Sequence, residues 1–193
     1  MFPISHFNIT KTPFYYYDKT LLSNTLAKLI RLAGERNYHV HYAVKANANP
    51  EILKLIAASG IGADCVSGGE IKAALEAGFP AKKIVFAGVG KADWEIEYAL
   101  EKKIFCFNVE SAEELSVIEE LAKKKENIAS IALRINPNID AHTHEYITTG
   151  LSENKFGIPI EMLDSIFSQI QRSPHVQLVG FHFHIGSQIL NLE

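Results

Sequence analysis

Residues 39–50, HVHYAVKANANP, begin as a strand and end as the start of a helix. With side chains alternating at period two, Val40, Tyr42 and Val44 share one face, and His39, His41, Ala43 and Lys45 the other. Asn49 before Pro50 reads as an N-cap with proline at the first helical position, where the missing N–H does no harm. An ammonium group therefore stands at the mouth of a core. Its purpose depends on what the other strands carry at the same end.

Working outward, short apolar runs alternate with amphipathic segments. The pattern predicts strands at 39–45, 62–66, 83–87, 104–108, 129–136 and 176–184, and helices at about 19–36, 50–59, 69–78, 92–102, 112–125 and 160–172. Such alternation points to a parallel sheet. SGGE at 67–70 and SAEE at 111–114 read as capping boxes, and Gly60 and Gly78 as left-handed helix stops.

The strand faces choose between sheet types. In 129–136, Ile131, Leu133 and Ile135 oppose Ser130, Ala132, Arg134 and Asn136; in 176–184, Val179, Phe181 and Phe183 oppose Gly180, His182 and His184. Asp64 and Asn108 occupy the matching ends of the second and fourth strands. An open doubly wound sheet makes both faces apolar. One apolar and one small or polar face, with titratable groups at the C-terminal ends, fits a (β/α)8 TIM-type barrel, here truncated after about six strands. Lys45 then projects inward beside Asp64, Arg134 and His184. Two readings stand for a half-buried lysine there: an amine nucleophile, or a cation that snorkels out and pairs with Asp64.

Composition narrows the class. With 47% hydrophobic and 21% charged residues the chain suits one sizeable core, and its net charge of −3, with scattered Lys and Arg, argues against nucleic acid or anionic membrane as partner. No signal peptide or membrane-length apolar run is visible. Cys65 and Cys106 read as reduced core thiols of a cytoplasmic protein.

YAVKAN at 42–47, GADCVSGGEI at 62–71, FNVES at 107–111, LRINP at 133–137, NKFGI at 154–158 and FHFHIGSQI at 181–189 occur in one order and spacing. Together they resemble the diaminopimelate decarboxylase family, of the alanine-racemase-like class of pyridoxal phosphate enzymes, over nearly the whole chain from about Thr12. The resemblance implies a Schiff base between Lys45 and pyridoxal 5'-phosphate, His184 packed on the pyridine ring, Gly186 and Ser187 at the phosphate, and Asp64 and Arg134 beside the cofactor. It implies decarboxylation of meso-2,6-diaminopimelate to L-lysine in a homodimeric full-length protein. Related enzymes acting on arginine, ornithine or carboxynorspermidine, and a catalytically silent cofactor-binding protein, are the alternatives.

Family members are roughly twice as long, so the chain reads as an N-terminal fragment, inactive alone. Residues 1–17 read as a segment whose TPFYYY stretch joins a β-domain in the family; 18–193 read as an incomplete cofactor-binding barrel, with the C-terminal β-domain absent. The pairs His142/His144 and His182/His184 have the HxH form of zinc sites, but no third ligand is obvious, so no metal is expected and His182 reads as a hydrogen-bonded interior residue. Residues 137–156 read as a long rim loop, and AGVGK at 87–91 falls short of a dinucleotide loop. KKKEN at 123–127 reads as a solvated helix end, and Tyr15, Tyr16 and Tyr17 as strand packing.

Overall fold

A computed structural model describes residues 3–136 and 156–184. The chain divides into two compact units, Met1–Tyr38 and His39–Glu193. The first holds α1 (Ile4–Ile9) and α2 (Lys19–Gly34), the latter capped by Asp18, which accepts from the Leu21 N–H at 2.9 Å. Residues 11–18 between them form no strand. The Phe7 ring meets Phe14 and Tyr16 at 5.4 and 5.1 Å, and Tyr15 stacks on Tyr17 at 6.3 Å.

The second unit runs β1 (His41–Ala43), α3 (Pro50–Ala58), β2 (Gly62–Cys65), α4 (Gly68–Ala77), β3 (Ile84–Phe86), α5 (Asp93–Lys102), β4 (Cys106–Val109), α6 (Ala112–Lys124), β5 (Ala129–Asn136), β6 (Ile158–Pro159), α7 (Leu163–Gln171) and β7 (Val176–Phe183). Every pairing is parallel. Strands β1 to β5 lie side by side in chain order, and β5 also pairs with the short β6 and with β7. A doubly wound sheet would reverse its strand order at a switch point. Here order in space follows order in sequence, and right-handed crossovers put successive helices on one side. Accordingly α3 packs on α4, α4 on α5 and α5 on α6. This is the winding of a (β/α) barrel, incomplete in this chain.

Helix stripes and strand faces build one core between them. Ile52, Leu53 and Ile56 of α3, Ile96, Ala99 and Leu100 of α5, and Leu115, Ile118 and Ala122 of α6 recur at helical spacing and are buried. They meet Ile131, Leu133 and Ile135, the apolar face expected of β5, which is buried too. Gly62 is needed for close approach: a Cβ there would collide with the His41 ring and lie 2.5 Å from the Lys83 carbonyl oxygen.

The caps carry one correction. Asn49 accepts from the Glu51 and Ile52 N–H groups, and Gly60 and Gly78 hold φ of +85° and +98° as expected. Ser67 and Ser111 cap α4 and α6, but Glu70 and Glu114 do not reach back to the cap residue. They accept instead from the N–H one residue earlier, Val66 and Glu110, each at 2.8 Å. Each carboxylate thereby ties the strand end to the helix that follows it.

Two strand expectations also change. β1 ends at Ala43, because Val44–Ala46 turn into a 3-10 helix that buries Val44 and leaves Lys45 exposed. In β7, Val179 is an extra residue, since Ile131 pairs with Leu178 and Ala132 with Gly180. Its apolar face is not buried by helices: Val179, Phe181 and Phe183 stay 43%, 52% and 55% exposed. Phe181 meets Phe167 on α7 in a T-shaped ring pair with centroids 6.3 Å apart.

Candidate active site

Strand ends and the turns after them bring titratable groups to one rim. Register sets Ala43 beside Asp64, and Arg134 beside His182. Lys45 follows Ala43 in the 3-10 turn, and His184 follows the end of β7. Burial raises the pKa of Asp64; Lys45 opposes that rise, Glu70 adds to it, and Arg134 and His184 oppose it. Four of the expected site residues, Lys45, Asp64, Arg134 and His184, thus share one electrostatic neighbourhood. Gly186 and Ser187, like His142 and His144, lie outside the described residues. No group of three metal-ligating side chains occurs among the described residues.

Two expectations need correction. Lys45 is exposed rather than half-buried, since it rides on the turn and not on the strand. His182 is interior, but its Nδ1 is buried without a hydrogen-bond partner among the described residues, as is Oδ1 of Asp64. Both residues line a cavity of about 390 Å³, with His41, Cys106, Asn108 and Ala132. Burial holds the His41 and His182 imidazoles below their ordinary pKa, with Arg134 adding to the effect at His182. Burial pushes the Cys65 and Cys106 thiols up to about 12 and about 11, and both are free. They are inert packing residues here.

Beside these groups lies a buried ionic network that the sequence reading missed. Lys91, after β3, has a side chain only 1% exposed. Its ammonium donates to the Gly88 and Asn108 carbonyls at 2.6 and 2.9 Å and to Glu114 at 2.6 Å. Burial raises the pKa of Glu114, while Lys91 and the Glu110 N–H draw it back. Glu110 in turn holds Nη1 of Arg134 with both oxygens, at 2.7 and 2.8 Å. The Phe156 ring lies 5.5 Å from the same guanidinium. A signal for Glu110 was present, because the period-two face through Cys106 and Asn108 reaches it next. Lys91 had none, since the GVGK stretch reads as an ordinary turn.

The rim offers an exposed primary amine, an exposed imidazole, a clamped guanidinium and a carboxyl with one unsatisfied buried oxygen. That set can capture an aldehyde, face a flat ring, fix an anion and hold a proton.

Residues 23–193 match the family model described as pyridoxal-dependent decarboxylase, pyridoxal binding domain. The chain belongs to that family of pyridoxal-dependent decarboxylases. Over its whole length it is 58% identical to the diaminopimelate decarboxylase of Bacteroides thetaiotaomicron, covering 50% of that protein. Its structure matches a mutant of diaminopimelate decarboxylase from Helicobacter pylori, solved in complex with L-lysine, with a TM-score of 0.90 and 46% identity over 98% of this chain and 48% of that one. The diaminopimelate decarboxylase of M. jannaschi matches with a TM-score of 0.89 and 38% identity over 98% of this chain and 45% of that one. The chain spans about half the length of the curated relatives it matches. Among its described residues no helix is long and apolar enough to cross a membrane.

Proposed function

We propose that this chain is the cofactor-binding part of an enzyme that decarboxylates meso-2,6-diaminopimelate to L-lysine and CO2. The observation that carries this reading is its 58% identity, along the whole chain, to a diaminopimelate decarboxylase. The gathering of Lys45, Arg134 and His184 around Asp64 supports it. Pyridoxal phosphate, when bound, would supply the conjugated ring that accepts the electron pair left on Cα as the bond to the carboxylate carbon breaks.

The residues present fit that group. Lys45 is an exposed amine able to bind the aldehyde covalently, and the exposed imidazole of His184 would lie against the ring and limit its tilt. Asp64 has a buried oxygen without a partner among the described residues, so a donor brought by the cofactor would satisfy it. Arg134, already neutralised on one side by Glu110, is a fixed cation beside the same site. Gly186 and Ser187 would hold the phosphate. Completing the reaction requires a proton at Cα in place of CO2. The 1–17 segment would join the β-domain of the full-length protein, a cytoplasmic homodimer in this reading; its buried free thiols suit a reducing compartment.

Borohydride reduction of the cofactor-loaded full-length protein should leave the pyridoxyl mass on the peptide containing Lys45. The same protein should release CO2 from meso-diaminopimelate far faster than from arginine or ornithine. A label on another lysine would overturn the site, and preferred turnover of arginine or ornithine would overturn the substrate.

A further inference from the structure

The Lys91–Glu114–Glu110–Arg134 network joins two successive βα turns to the next strand and ends at the candidate site. Lys91 belongs to the turn after β3, Glu110 and Glu114 to the turn after β4 and the first turn of α6, and Arg134 to β5. Its geometry runs in one direction. The Lys91 ammonium and the Glu114 carboxylate grip the backbone on either side of Val109, at the Asn108 carbonyl and the Glu110 N–H. That fixes the base from which the Glu110 side chain projects. The Glu110 side chain is 4% exposed, and both its oxygens go to a single nitrogen of Arg134. Gly157 packs closely on Arg134, since a Cβ there would lie 2.9 Å from the Arg134 carbonyl oxygen and 3.3 Å from its Cγ.

So much buried charge is costly unless each group is satisfied. Structure alone does not require it, since apolar residues could fill the same turns. What the arrangement secures is one orientation for the guanidinium. Using only Nη1 for Glu110 directs the remaining N–H groups of Arg134 elsewhere, and Asp64, Glu110 and His184 all act on or beside this region of the rim.

We infer that Glu110 is a positioning residue that sets the Arg134 guanidinium for pyridoxal phosphate, with Lys91 and Glu114 fixing Glu110 in turn. The inference rests on the cofactor reading above. It assigns the discrimination between a well-held and a loosely held cofactor to a residue that touches no cofactor atom. Partners that orient metal ligands typically change affinity by about 10–100-fold when mutated, and an effect of that order is expected for this pair.

The test is a double-mutant cycle on cofactor affinity, measured by absorbance titration of the cofactor-stripped full-length protein with pyridoxal phosphate. E110Q and R134Q should each raise Kd by about tenfold or more. The double variant E110Q/R134Q should bind no more weakly than R134Q alone, within about twofold. E110D keeps the charge but withdraws it by one methylene; it gives the same comparison if E110Q does not fold, with a smaller loss that again vanishes in the R134Q background. Multiplying losses, or wild-type affinity in both Glu110 variants, would overturn the positioning role. If the wild-type protein itself takes up no pyridoxal phosphate on Lys45, the functional reading fails and this inference falls with it.

Discussion

Asp64 shows how a single carboxyl reports its surroundings. Its folded pKa is raised, chiefly by burial, so the folded state binds the proton more tightly than the unfolded chain does. The group's contribution to stability is therefore complete below the unfolded pKa and is lost as pH rises through the folded value. Asp64→Asn removes that loss. Without cofactor, the full-length variant should melt higher than wild type at pH 7, and the gap should close as pH falls below about 4. A lower melting temperature at pH 7 would refute the assignment. Lys91 is the opposite case, a buried charge whose partners are all in place. Lys91→Met leaves Glu114 buried without its cation. It should destabilise the protein by about 3–5 kcal/mol in urea unfolding.

At the level of elements, local chemistry and tertiary demands mostly agree. Helices begin at Asp18, Asn49, Ser67 and Ser111 because each side chain caps an N–H that would otherwise lack a partner. Helix α5 ends against propensity. Lys103 closes α5 at φ 53° and ψ 52°, in the left-handed region where a Cβ is unfavourable. Lys103→Gly should therefore stabilise the full-length protein, by on the order of 0.5 kcal/mol after the added freedom of the unfolded chain is counted. A shift of the denaturation midpoint to higher urea, with an unchanged slope, is the expected result.

For the whole molecule, parallel strands laid down in chain order leave β1 and β7 at the two ends of the described sheet. The β7 edge also bares Val179, Phe181 and Phe183. Unpaired strand edges beside an apolar face are a template for association. The 193-residue chain expressed alone should be poorly soluble and should elute as aggregate in size-exclusion chromatography. A monomer with a sharp, cooperative melt would contradict this.

Sequence alone settled the order of the main strands and helices, the cap positions and the barrel rather than open-sheet winding, because each rests on short-range periodicity or on one side chain meeting a nearby backbone group; α1 and the two-residue β6 were not legible in it. It also marked Lys45, Asp64, Arg134 and His184, since strand alternation puts titratable groups at the ends of otherwise small-residue faces. It stopped one step short of Glu110 and passed over Lys91. It took the folded molecule to show that Lys45 leaves the strand for an exposed turn, that the two capping carboxylates reach past their cap residues, and that four charges from two βα turns and strand β5 form one buried chain. Those outcomes depend on which turns stand side by side around the sheet, a relation between residues far apart in sequence that no local pattern encodes.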